Sequence, residues 1–125
     1  METLEQTVAR ELGPEGITAM VAAFYRKVPD DDLLGPMYPA EEMAAAEERL
    51  RDFLKFRLLG DPVYQFKRGH PRLRMRHAPF AIGEKERDRW LELMEGAMEE
   101  SGVSAAGQRV LLPFFADVAE FLRNR

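Results

Sequence analysis

Four residues of this chain have side chains suited to chemistry in a nonpolar setting: His77, Tyr25, Tyr38 and the single tryptophan, Trp90. His77 lies in RGHPRLRMRHAPF, residues 68–80, which holds both histidines and four arginines. Its neighbours Met75, Ala78, Pro79, Phe80 and Ile82 are apolar. A neutral imidazole carried into such surroundings needs an acceptor for its N–H and a partner for its other nitrogen, and a metal supplies the second. The chain has no cysteine, so disulfides and thiolate chemistry are excluded. No second histidine or well-spaced carboxylate stands nearby to complete a zinc site. His70 sits between Gly69 and Pro71, where a following proline favours extended backbone. It is expected to hydrogen-bond and not to ligate.

Charge is unevenly distributed around these histidines. From Pro62 to Gly83 there is no acidic residue, while Lys67, Arg68, Arg72, Arg74 and Arg76 fall in the same interval. Taking these five cations from the net charge of -4 leaves -9 on the rest. An acidic body with one basic island points to a small, local anion and not to a polyanion wrapped around the protein. Haem meets both requirements. Its iron needs only one protein ligand, because the porphyrin fills the equatorial positions. Its two propionates match guanidinium groups in bidentate geometry. The phenol O–H and indole N–H groups of Tyr25, Tyr38 and Trp90 would then be donors for a polarised diatomic ligand in a dry pocket.

The elements that must position these groups are helical. Leu4, Val8 and Leu12 mark a first helix over about 2–12, ended by Gly13. Ile17, Met20, Val21, Phe24, Tyr25 and Val28 keep a 3.6-residue period in a second, which opens at Pro14. Residues 29–40 form a loop with three prolines. A helix over about 41–59 follows, with Met43, Ala46, Leu50, Phe53, Leu54 and Leu58 on its apolar side and Glu47, Glu48, Arg51, Asp52 and Lys55 largely elsewhere. Residues 61–71 read as an irregular connection, and 72–77 as a short helix. Trp90, Leu93, Met94, Ala97 and Met98 line a helix over about 83–100. Ser104 is placed to cap the last helix, which carries Val110, Leu111, Phe114, Phe115, Val118 and Leu122 and in which Pro113 is expected to cause a kink. No segment alternates with period two. The expected fold is a single all-α domain, 1–125.

Four stretches resemble one family: FYRKV at 24–28, MYP with AEERLRDFL between 37 and 54, RGHPRLRMRHAPF at 68–80 and ERDRW at 86–90. Together they resemble the group II truncated haemoglobins, which fold as a two-over-two helical sandwich around haem. The resemblance implies that His77 is the proximal ligand to the iron of haem b. It implies that Tyr25, Tyr38 and Trp90 are the distal hydrogen-bond donors. Ala46 stands where other globins often have a distal histidine, leaving a path beside it, with Leu50 and Leu54 flooring the distal side. Arg49 and Arg76, with Arg74 in a lesser part, are positioned for the propionates, and Phe80 for packing beneath the porphyrin. Thr7-Val8, Leu12-Gly13 and Arg57-Leu58-Leu59-Gly60 depart from the Phe-Tyr, Gly-Gly and Tyr-Trp-Gly-Gly common in the family.

The expected function is binding of dioxygen, and of ligands such as NO and CO, with slow release. That favours NO dioxygenation or peroxide handling over bulk oxygen transport, and leaves open whether the protein is an enzyme. No flavin or nicotinamide domain is visible, so a separate reductase is the expected electron partner. Nucleic acid and membrane are not expected partners: the isoelectric point is about 5.3 and no apolar run approaches a membrane span. The cytoplasm is the expected location, and self-association into a homo-oligomer is left open. In the oxidised form Tyr25 or Tyr38 would be the protein's candidates for a sixth iron ligand. The rival is a haem-free helical interaction module that binds an anionic partner through the 67–76 basic island.

Overall fold

A computed structural model describes residues 1–69, 77 and 81–125, and every regular element among them is helical. Helix α1 spans Leu4–Glu11 and begins with a capping box. The Gln6 N–H donates to Thr3 Oγ1 at 3.1 Å, and the Thr3 N–H donates to Gln6 Oε1 at 3.0 Å. Helix α2 spans Gly13–Lys27, with Pro14 in its first turn, where a missing N–H costs no hydrogen bond. Short 3-10 turns at Val28–Asp30, Gly35–Met37 and Ala40–Glu42 lead to α3, Met43–Leu59. Gly60 ends α3 with φ 74°, the left-handed conformation that glycine adopts without a Cβ clash.

The expected irregular connection after Gly60 is corrected. Val63–Arg68 form a one-and-a-half-turn helix, α4, whose six residues are too few to show an apolar period. Helix α5 spans Glu84–Glu100 and α6 spans Ala105–Leu122. Of the expected helix at 72–77, only His77 is described, and it is helical. Helix α6 runs on through Pro113, at a solvent-facing position where water can satisfy the carbonyl one turn back. The Ser104 hydroxyl caps α6 by accepting the Gly107 N–H at 3.1 Å. Ser104→Ala should therefore lower stability by about 1 kcal/mol, read as a lower midpoint in a urea titration with unchanged slope.

Helix α2 lies at the centre, packed on α3 and on α5, while α5 packs on α6 and α1 on both α6 and α3. This is the two-over-two arrangement. Ile17, Met20, Val21 and Phe24 from α2 are fully buried, and meet a core that includes Leu58, Met94, Met98, Leu111 and Phe115. Each large side chain so buried stabilises the fold by about 1.5–3 kcal/mol of transfer free energy. Thr7 and Val8 are themselves buried, so α1 docks without an aromatic pair at those positions. Asp52, read along the chain as off the apolar side of α3, is nonetheless buried. It is 6% exposed, with its carboxylate 3.2 Å from Arg51 Nε and 3.5 Å from Lys67 Nζ. Lys67 also reaches Glu48 at 3.1 Å, so acidic residues of α3 hold this first cation of the basic island and tie α4 to α3. None of the described helices is long and apolar enough to cross a membrane.

Candidate functional site

A cavity of about 430 Å³ opens between α2, α3, α5 and α6, within the usual range for cofactor sites. Tyr25, Tyr38, Trp90, His77, Ala46, Arg49, Leu50 and Leu54 all line it. Residues from α2, α3 and α5, from the loop that ends in Tyr38 and from the helical position 77, separated by up to 65 positions in the chain, thus share one space. Arg74, Arg76, Phe80 and His70 lie outside the described residues. His77 is half-buried at the wall. Helix α3 turns Ala46, Leu50 and Leu54 inward because residues four apart share a helix face. Ala46 is 9% exposed and adds no polar atom to that wall.

The aromatic side of the cavity is a continuous packed cluster. Tyr25 and Tyr38 meet edge to face with ring centroids 5.7 Å apart. Phe24, fully buried, packs at 5.4 Å from Trp90, and Trp90 packs at 5.5 Å from Phe115. Such edge and tilted contacts suit the ring quadrupoles and leave the O–H and N–H groups to polar partners. Burial pushes the Tyr25 phenol far above the ordinary tyrosine range, with the neighbouring Tyr38 acting in the same direction. Burial also raises Tyr38, against the opposing pull of hydrogen bonding from Tyr25 and Trp90. The three polar groups therefore lie near enough to influence one another at Tyr38. The positive charge of Arg49 is felt at both phenols.

The Tyr25 shift has a consequence for stability. In the unfolded chain a tyrosine loses its proton near pH 10, whereas Tyr25 in the folded protein keeps it well beyond. Above pH 10 the folded state thus binds more protons than the unfolded state, and stability falls as pH rises. Tyr25→Phe should flatten the loss between pH 10 and 11.5 by up to about 1.4 kcal/mol per pH unit. Urea titrations of both proteins across that range would check it, and equal slopes would refute it.

Sequence reasoning missed part of the wall. Tyr64 of α4 is 3% exposed, lines the cavity and packs 5.6 Å from Phe53. The signal available was that it is the third of only three tyrosines. Phe115, Val118 and Leu122 also line the cavity. They belong to the apolar stripe of α6, which looked like ordinary core. Among the described residues no group of three histidines or carboxylates could hold a metal ion. The donor set is one imidazole in an apolar chamber, which fits a cofactor whose metal is already held by a macrocycle.

Residues 10–124 match the family described as bacterial-like globin. A group 2 truncated hemoglobin of Bacillus subtilis, YjbI, is 37% identical over 92 residues, covering 74% of this chain and 69% of that protein. The chain belongs to the group II truncated haemoglobins. Solved structures agree. A hemoglobin from the thermophilic phototroph Chloroflexus aurantiacus superposes with a TM-score of 0.87 at 38% identity, covering 100% of both chains. A thermostable hemoglobin from the actinobacterium Thermobifida fusca gives 0.86 at 41% identity, covering 98% of each. Membership in this truncated haemoglobin family implies a haem and the binding of small ligands such as oxygen at it.

Proposed function

We propose that this truncated haemoglobin holds haem b through His77 and binds dioxygen under the donors Tyr25, Tyr38 and Trp90, with slow release. The observation that carries the reading is the convergence of an imidazole and these three donors on one apolar cavity. When bound, the haem iron supplies the coordination site for the diatomic ligand. His77 would hold the iron by one ring nitrogen. The other donates to an acceptor that fixes the tautomer. Leu50, Leu54 and Phe115 exclude water from the ligand. Trp90 and Tyr38 would offer their N–H and O–H groups to it, and Tyr25, packed against the Tyr38 ring, would hold Tyr38 in place. Arg49 at the cavity wall would be a partner for the propionates, a role the family resemblance also gives to Arg76 and Arg74, with Phe80 assigned to the haem pocket.

Slow release suits redox work better than delivery. Nitric oxide, dioxygen and one electron combine to nitrate, so turnover requires an electron donor. A separate reductase, in the cytoplasm, is the source that fits this reading; peroxide handling is the second use of the same site. The rival, a haem-free module binding an anion through the basic island, is disfavoured by the engagement of Lys67 with Glu48 and Asp52.

The test is a haemin titration of the purified protein, followed by dithionite and then oxygen. One equivalent taken up, with a sharp Soret band and an oxygenated ferrous spectrum, is the expected result. Uptake without stoichiometry would overturn the proposal.

A further inference from the structure

Arg89, beside Trp90, and Asp31, at the head of the loop that ends in Tyr38, meet 58 residues apart in sequence. Arg89 Nη1 donates to Asp31 Oδ1 at 2.7 Å. The other carboxylate oxygen accepts the N–H groups of Leu34 at 2.8 Å and Leu33 at 3.1 Å. The Asp31 side chain is 8% exposed, so its charge is held in a partly desolvated place by three donors. Arg89 also reaches Asp32 at 3.1 Å and Glu92 at 3.4 Å. Those carboxylates are 91% and 72% exposed, and such pairs contribute little.

From Asp31 a chain of short backbone bonds runs to the tyrosine. Gly35 N–H donates to the Asp31 carbonyl at 2.9 Å, Met37 N–H to Leu34 at 2.9 Å and Tyr38 N–H to Gly35 at 3.1 Å. The turn sits close against α2's end. A Cβ on Gly35 would lie 3.1 Å from the Val28 carbonyl oxygen and 3.3 Å from that of Pro29. Leu34, 2% exposed, is part of the cavity wall. The turn from Asp31 to Tyr38 is thus braced by its own backbone hydrogen bonds, and its first residue, Asp31, is paired to Arg89 of α5.

We infer that Asp31 and Arg89 are positioning residues of the distal site: their ion pair fastens the Tyr38 loop to the Trp90 helix and so sets how firmly the two donors hold a ligand together. The inference rests on the proposed role of Tyr38 and Trp90 as ligand donors. Donor placement matters at the scale of about 0.5 Å, which a free surface loop does not maintain.

Asp31→Asn keeps a side-chain oxygen for the Leu33 and Leu34 N–H groups but removes the charge. Arg89→Gln cuts the same tether from the other side. In the haem-loaded protein each should speed oxygen release by about 3- to 10-fold, and the double variant no more than the stronger single, because both break one interaction. Arg89→Lys should recover part of the loss. The chain has one tryptophan, so the ferrous carbonyl protein gives one indole N–H resonance. Both variants should shift it and the C–O stretch. Trp90→Phe belongs in the same series. If it speeds release while the Asp31 and Arg89 variants leave release, resonance and stretch unchanged, the positioning role is overturned and the donor role stands. If Trp90→Phe is silent, both fall. Additive effects in the double variant would also overturn the tether. Should Asp31→Asn fail to fold, Arg89→Gln against Arg89→Lys, with the indole resonance as the reading, decides the question alone.

Discussion

Trp90→Phe speeds oxygen release about 10- to 150-fold. The replacement removes the indole N–H while keeping an aromatic ring between Phe24 and Phe115, which pack 5.4 and 5.5 Å from Trp90. The donor is lost and most of the packing is kept. A hydrogen bond to a charged or strongly polarised group contributes about 1.5–3 kcal/mol, and each 1.4 kcal/mol is a factor of ten in rate. The full effect is expected because the site has few competing donors. Ala46 supplies none, and the Tyr25 ring packs edge to face on Tyr38. Displacing oxygen with carbon monoxide in a stopped-flow mixer measures the rate directly. An unchanged rate in a normally folded Trp90→Phe protein would refute the proposed distal role. A urea titration alongside separates the donor's loss from any loosening of the core.

The larger effect is expected at His77. His77→Ala should weaken haem binding by more than about 100-fold, since losing even an outer partner of a metal ligand costs 10- to 100-fold. The apolar walls and the arginines remain, so some haem will still partition into the cavity, with a broadened Soret band and a changed iron spin state. Added imidazole should restore the sharp spectrum by occupying the vacated position. A merely structural histidine would show neither the spectral change nor the rescue. Uptake indifferent to the substitution would mean that another side chain holds the iron.

Much of this architecture was legible along the chain. The apolar periods of α2, α3, α5 and α6 marked these helices to within a few residues, because a helix that must bury one face writes that requirement every three or four positions. The caps were equally local: Ser104 and Gly60 act on groups within a few residues of themselves. Helix α4 escaped because six residues cannot display a period. That Asp52 is buried could not be read along the chain, since its partner Lys67 arrives from another element. Tyr64 was missed for the same reason, since only the return of α4 against Phe53 and Phe56 gives it a place at the wall.

Among the candidate site residues the division is similar. The sequence by itself determined which groups were available: one imidazole in apolar company, a basic island without acids, two tyrosines and a lone tryptophan, and a pattern belonging to a known globin group. It also determined the helix faces on which Tyr25, Ala46, Leu50, Leu54 and Trp90 stand, because those follow from local backbone geometry. Only the tertiary structure decided that these faces turn toward one cavity, that the Tyr25 ring packs edge to face on Tyr38, and that Arg89 fastens Asp31 across 58 residues. Such contacts are set by how whole helices pack, and packing is a collective property of the core. Shape and burial bring distant groups to within 3 Å of one another, and no periodicity along the chain records that distance.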